Sequence, residues 1–214
     1  KLVDKSVNQT ISKGNMSTLN CPEEVILAEK LIELHPWAQM AKFTRTGGEA
    51  NAVAVRISRA YSKKDGIAIC GYHGWHDWYL AANVSSSKKL NDHLLKNLNV
   101  YGVPKSLKNT VFPFNYNNFT ELKNIIKKNK NIGTIKMEVV RNIMPKNNFL
   151  KKVRKLCDDK NLILIFDECT SGFRQTYGGI HKIFKVNPDI AIFGKALGNG
   201  YPINAVIGRE NIMK

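Results

Sequence analysis

An acid and an amine stand where two short apolar runs stop. The run 162–166 leads into Asp167, and the run 190–193 leads through Gly194 into Lys195. In an open α/β sheet, ligands collect at the carboxyl ends of the strands, so two neighbouring strands would offer both side chains to one crevice. The stretch between them is long enough for a crossover, and the strands need not form a hairpin. A lysine amine condenses with an aldehyde, and an aspartate can keep a pyridinium nitrogen protonated. Two unit charges about 4 Å apart attract by roughly 4 kcal/mol at an effective dielectric of ~20, before desolvation.

Pyridoxal phosphate chemistry needs both groups, because the cofactor ring draws electrons well only when its nitrogen carries a proton. Singly, Asp167 would read as a helix cap and Lys195 as a solvated charge. Together, among Gly172, Gly178, Gly179, Gly194, Gly198 and Gly200, they read as a site.

Other elements must position this pair. A strand at 40–45 runs into Thr46-Gly47-Gly48-Glu49-Ala50-Asn51, and a helix with apolar residues at helical spacing follows over 49–61. Strand, glycine turn and helix N-terminus together make an anion cradle, in which backbone amides and the helix dipole face a phosphate. A strand at 67–70 ends in Gly71-Tyr72-His73-Gly74-Trp75-His76-Asp77-Trp78. His73 and His76, with Asp77 beside them, suggest a metal, but no further ligand follows at a convincing spacing, and no metal is expected. A strand at 132–137 delivers a second acid, Glu138, with Arg141 and Asn142 close behind. A helix over 149–160 leads back to the strand before Asp167. Strand and helix alternate from residue 40 onward, which predicts an α/β fold with a mostly parallel sheet and helices on both faces.

The remaining stretches carry less. Residues 1–20 are polar and weakly patterned and read as an irregular N-terminal segment. Cys21-Pro22-Glu23-Glu24 opens a helix that His35-Pro36 stops. Residues 1–38 are therefore separated from a large domain over 39–214. Residues 82–109, with Ser85-Ser86-Ser87-Lys88-Lys89, read as loop, and 118–130 as an amphipathic helix with a solvated lysine face.

A net charge of +16 invites a nucleic-acid partner, but the lysines are spread through surface-like segments without interleaved aromatics. No nucleic-acid partner is expected. No apolar run reaches the ~18 residues of a membrane span. Cys21, Cys70, Cys157 and Cys169 lack metal-ligand spacing, and reduced thiols suit a cytoplasmic protein.

Phe166-Asp167-Glu168-Cys169-Thr170-Ser171-Gly172, Tyr177-Gly178-Gly179, the stretch 187–203 and Ile207-Gly208-Arg209-Glu210 resemble the core of the class III aminotransferases. They are most similar to the glutamate-1-semialdehyde aminomutase branch and its polysaccharide-pathway aminotransferase relatives. The resemblance implies the large domain of a fold type I pyridoxal-phosphate-dependent transferase, with Lys195 as the Schiff-base lysine and Asp167 as the pyridinium partner. It further implies that Thr46, Gly47 and Gly48 take the phosphate, that Tyr72 beside His73 covers one ring face, and that Cys169 touches the other. Glu138 would support the polar network. Two departures stand out: Gly48 where the family carries a hydroxyl, and Val139 where it carries proline. The expected activity is amino-group transfer between small-molecule donors and acceptors, as aminomutase or as sugar- or polysaccharide-pathway transaminase. Members are about twice this length and build their sites at a homodimer interface. A fragment lacking the C-terminal small domain, catalytically incomplete alone, is therefore also expected.

Overall fold

Alternate residues of the central strands enter different cores, and that alternation fixes where the site can form. In the computed structural model, which describes residues 2–14, 21–86, 88–93 and 96–214, seven strands make one sheet. They are β1 (Met40–Thr44), β2 (Gly66–Cys70), β3 (Val111–Pro113), β4 (Ile132–Glu138), β5 (Ile163–Glu168), β6 (Ile190–Phe193) and β7 (Asn204–Gly208), in the order β1-β7-β6-β5-β4-β2-β3. The block from β6 to β3 is parallel throughout, while β7 runs antiparallel to both β6 and β1. The expected mostly parallel sheet is present.

Helices cover both faces. α3 (Gly47–Ser62) lays Ala50 and Ala54 on Ile163, Ile165, Ile190, Ile192 and Val206. The short α4 (Asp77–Leu80) follows β2, and on the other face α5 (Phe119–Lys128) and α6 (Phe149–Lys160) bury Leu122, Phe149, Leu150, Val153 and Cys157 against Ile135, Met137, Leu164 and Phe166. Fully burying such an aliphatic or aromatic side chain contributes roughly 1.5–3 kcal/mol. The lysines of α5 stay exposed, as its amphipathic pattern predicts. α2 (Pro22–Leu34) seats Leu31 beside Phe193, Ala205 and Ile207, so residues N-terminal to 39 contribute to the core under the sheet.

The irregular segment expected at the N-terminus is corrected by α1 (Leu2–Lys13), a helix with no buried residue. Asp4 in its first turn and Lys13 in its last complement the helix dipole, and the Tyr201 hydroxyl donates to Asp4 Oδ1 at 3.0 Å. The rest of that segment from residue 15 to 20, and Ser87 of the serine–lysine run, lie outside the described residues. The lysines are also less evenly scattered than the sequence implies. Lys64, Lys123, Lys127, Lys130 and Lys160 border one groove at the end of β4 away from Glu138, with no aromatic in its lining.

Candidate active site

β5 and β6 are hydrogen-bonded neighbours, with Asp167 opposite Ile192 and Glu168 opposite Phe193. Asp167 and Lys195 therefore emerge side by side and line one cavity of about 290 Å³. Thr46, Gly47, Gly48, Tyr72, Glu138 and Cys169 line it too, together with Asn51, His76, Arg141 and Thr170. His73 is placed differently. It lies behind Asp167, wholly buried, and does not line the cavity.

Lys195 is held by its backbone as well as its side chain. Its φ of +47° lies in the left-handed region, at a cost of roughly 1–2 kcal/mol for a residue with a Cβ. Strain of this kind collects at functional positions. The preceding Gly194 must be glycine, since a Cβ there would fall 1.9 Å from Asn204 Oδ1. Lys195 Nζ, otherwise exposed, donates to Thr170 Oγ1 at 2.9 Å, and the same oxygen accepts from Arg141 Nη2 at 3.2 Å.

Asp167 is 5% exposed. Its Oδ2 accepts from His73 Nδ1 at 2.8 Å, its Oδ1 accepts from the Cys169 amide at 3.1 Å, and Lys136 Nζ stands 3.8 Å from Oδ2. Burial alone would raise the Asp167 pKa, but Lys136, His73 and the Cys169 amide outweigh it and hold the carboxyl well below the usual range. The acid is a firm anion. Burial and the nearby Lys136 push His73 down to about 4, so it meets Asp167 as a neutral ring.

The N-terminus of α3 is closed by a capping box. Thr46 Oγ1 accepts from the Glu49 amide, while the Glu49 carboxylate accepts from the Thr46 and Arg45 amides. The Thr46 oxygen expected at an anion is thus engaged as a cap, with its proton left to donate. The Gly47 and Gly48 amides have no carbonyl within the helix to bind. A Cβ on Gly48 would come 2.8 Å from His76 Nε2. The imidazole occupies the space that a hydroxyl side chain at position 48 would take.

Glu138 closes the far side of the cavity. Its Oε2 accepts from the Tyr72 amide at 3.2 Å, and its Oε1 pairs with Arg141 Nε at 3.0 Å. Burial first, then the charge on Asp167, pushes its pKa up to about 7 against Arg141 and the Tyr72 amide. Because this lies above the ordinary value of 4.5, the folded state binds the extra proton. The associated stability is complete below pH 4.5 and is lost as pH rises through about 7. Glu138→Gln should therefore gain on the parent across that window, by a few degrees in the melting temperature of the cofactor-free protein. His73 titrates in the same range in both proteins and largely cancels in the difference. A gap that does not widen between those two pH values would remove this account of Glu138.

Several participants escape the sequence reading, Thr170 and Asn51 among them. Lys136 has its only signal in alternation, two residues before Glu138 on one strand face. His76 was weighed only as a metal ligand. Glu168, adjacent to Asp167 but on the opposite face, accepts from Ser171 Oγ, the Ile180 and His181 amides and His181 Nδ1. His181 Nε2 in turn accepts from Trp37 Nε1. That buried network fixes the loop carrying Thr170. Trp75, at 70% exposure, stands at the cavity mouth. Among the described residues, no group of three or more His, Cys, Asp or Glu could hold a metal.

A family model described as Aminotransferase class-III matches residues 2–214. The chain is 37% identical over 220 residues to the 3-aminobutyryl-CoA aminotransferase of Cloacimonas acidaminovorans, covering 99% of this chain and 49% of that protein. It is 35% identical over 217 residues to the glutamate-1-semialdehyde 2,1-aminomutase of Sulfolobus acidocaldarius, covering 99% of this chain and 50% of that one. Among solved structures, a transaminase with PLP bound superposes with a TM-score of 0.86 at 25% identity, over 99% of this chain and 50% of its own. The chain spans about half the length of the curated relatives it matches.

Proposed function

Because the chain belongs to the class-III aminotransferase family, we propose that it forms the pyridoxal-phosphate-binding half of an enzyme that transfers amino groups on small molecules. One observation carries the reading: Lys195 Nζ and the ionised Asp167 open into the same cavity, beside the N-terminus of a long capped helix. The donor set fits the cofactor. Its phosphate suits the free amides of Gly47 and Gly48, the Thr46 hydroxyl and the His76 ring. Its protonated ring nitrogen suits Asp167, and its ring oxygen has hydrogen-bond partners within the same lining. Asn51 Oδ1 and Arg141 Nη1 are buried there without a partner among the described residues, as groups awaiting a polar ligand would be.

Bound there, the cofactor supplies an electron sink for the charge left at the substrate carbon when its proton departs. Asp167 keeps the proton on the ring nitrogen. Tyr72 and Cys169 bound the space for the ring and exclude water from its faces. Lys195 tethers the cofactor through Nζ and then carries the substrate proton, and Thr170 steers that nitrogen by accepting its hydrogen bond.

Amino transfer is common to the aminomutase and transaminase readings, including the sugar- and polysaccharide-pathway alternative, and relatives bearing both kinds of name match over the same half. The proposal includes a homodimer, whose second subunit, or a longer chain, would cover the exposed Lys195 and Trp75. It also includes a cytoplasmic location. Among the described residues no helix is long and apolar enough to cross a membrane.

Borohydride reduction of the protein loaded with pyridoxal phosphate, followed by peptide mapping, should place the pyridoxyl group on Lys195. A label on another lysine would overturn the assignment.

A further inference from the structure

β4 carries a polar stripe inside a strand that is buried on both sides. Ile135, Met137 and Val139 enter the core on one face. Thr134, Lys136 and Glu138 point to the other, with Lys136 opposite Ile165 and Glu138 opposite Asp167 in register. Lys136 is wholly buried, and its Nζ has no hydrogen-bond acceptor among the described residues. Its neighbours are Asp167 Oδ2 at 3.8 Å and the face of the Trp78 ring at 6.0 Å. A buried ammonium without acceptors persists only beside a counter-ion, and Asp167 is the one in reach.

Resting on the reading that pyridoxal phosphate sets its ring nitrogen on Asp167, we propose that Lys136 is a positioning residue. It competes with that nitrogen for the charge of Asp167 and so sets how firmly the ring proton is held. One carboxylate charge then serves two cations, the Lys136 ammonium from behind and the pyridinium from the cavity. Like charges that share a counter-ion in a buried site repel, and the stronger acid of the two gives up its proton first.

The other groups facing Asp167 do not replace Lys136 in this role. His73, from the turn after β2, is held neutral by burial and by Lys136. The Cys169 thiol, just after β5, is pushed up by burial and by Asp167 and stays protonated. Glu138 titrates near 7 beside Arg141, and Lys195 lies across the cavity after β6. Both remain in any Lys136 variant. Loss of Lys136 also releases part of its hold on His73, so the comparison is made at equal pH in a His73→Gln background, where Lys136 is the one cation removed.

The test uses the protein loaded with pyridoxal phosphate labelled with ¹⁵N at the ring nitrogen, whose chemical shift separates protonated from unprotonated ring. In the unchanged protein the resonance should titrate within the pH range that the fold withstands. In Lys136→Met, which fills similar volume without charge, the midpoint should rise by about one pH unit or more, and likewise in Lys136→Gln. A purely structural lysine would leave the midpoint where it was. An unmoved midpoint in whichever neutral variant folds overturns the proposal. If neither folds, the unchanged protein decides, since a ring nitrogen still fully protonated at the alkaline limit of the fold also overturns it. Borohydride mapping on the same samples keeps the two claims apart. No label on Lys195 defeats the cofactor reading, whereas a label there with an unmoved midpoint defeats only the role of Lys136.

Discussion

If the protein transfers amino groups as proposed, Lys195→Ala is expected to lower the rate by roughly 10²–10⁴-fold through lost proton transfer alone, and to let pyridoxal phosphate dialyse away. The fold should be nearly indifferent. Lys195 is exposed, and among the described residues its side-chain hydrogen bond is to Thr170, which keeps Arg141 as a donor. The positive φ remains at the variant position, so no strain is relieved. Lys195→Gly would relieve it and should raise the melting temperature slightly while remaining as inactive as the alanine variant. A catalytic and a structural role thus predict opposite ordering: the glycine variant is the more stable, yet neither works. Turnover within about tenfold of the parent would remove Lys195 from the chemistry.

The sequence exposed these residues because strand ends are local features. The runs before Asp167 and Lys195 are apolar and short, and Gly194 closes the second, so the point where each side chain leaves the sheet can be read without knowing what lies beside it. The same holds for the helix after Gly48, whose apolar spacing and threonine–glutamate cap lie within a few residues. Register is not local. Nothing in residues 204–208 announces that β7 runs antiparallel between β1 and β6, and β3 is too short to show a period. α1 was missed for the converse reason. Val3, Val7 and Ile11 recur at helical spacing, but they are few within a polar stretch and none is buried, so only charges mark the ends of the helix.

The surroundings of Asp167 show the same limit at the site. Lys136 reaches it from β4 and His73 from the turn after β2, and only the pairing of β5 with β4, and of β4 with β2, brings them together. A lysine one turn of the pleat before Glu138 looks in sequence like any surface charge. The substitution at Gly48 was visible, but the imidazole that fills its place was not, because the contact between Gly48 and His76 closes only when the turn after β2 folds over α3.

Asp167→Ala is expected to damage both stability and turnover, with causes that can be separated. Without Asp167 the Lys136 ammonium is buried and unpaired, and breaking a buried pair from one side costs roughly 3–5 kcal/mol. Burial already depresses the Lys136 pKa, and loss of Asp167 removes the charge that opposed this. In the variant, therefore, the folded state binds fewer protons at Lys136 than the unfolded state does. Stability from this group falls as pH drops below the ordinary lysine value of 10.5, so the variant should melt highest, relative to the parent, at alkaline pH. Turnover should fall by roughly 10²–10³-fold, the scale of losing one preorganised electrostatic partner, because nothing then holds the ring proton. Asp167→Glu keeps the charge at a displaced position and should be intermediate. The decisive variant is Asp167→Ala with Lys136→Met, which removes both charges together. It should recover most of the lost melting temperature, since no ion is left stranded, while turnover stays low. If turnover returns along with melting, Asp167 serves the fold as the counter-ion of Lys136, and its assigned hold on the cofactor ring is wrong.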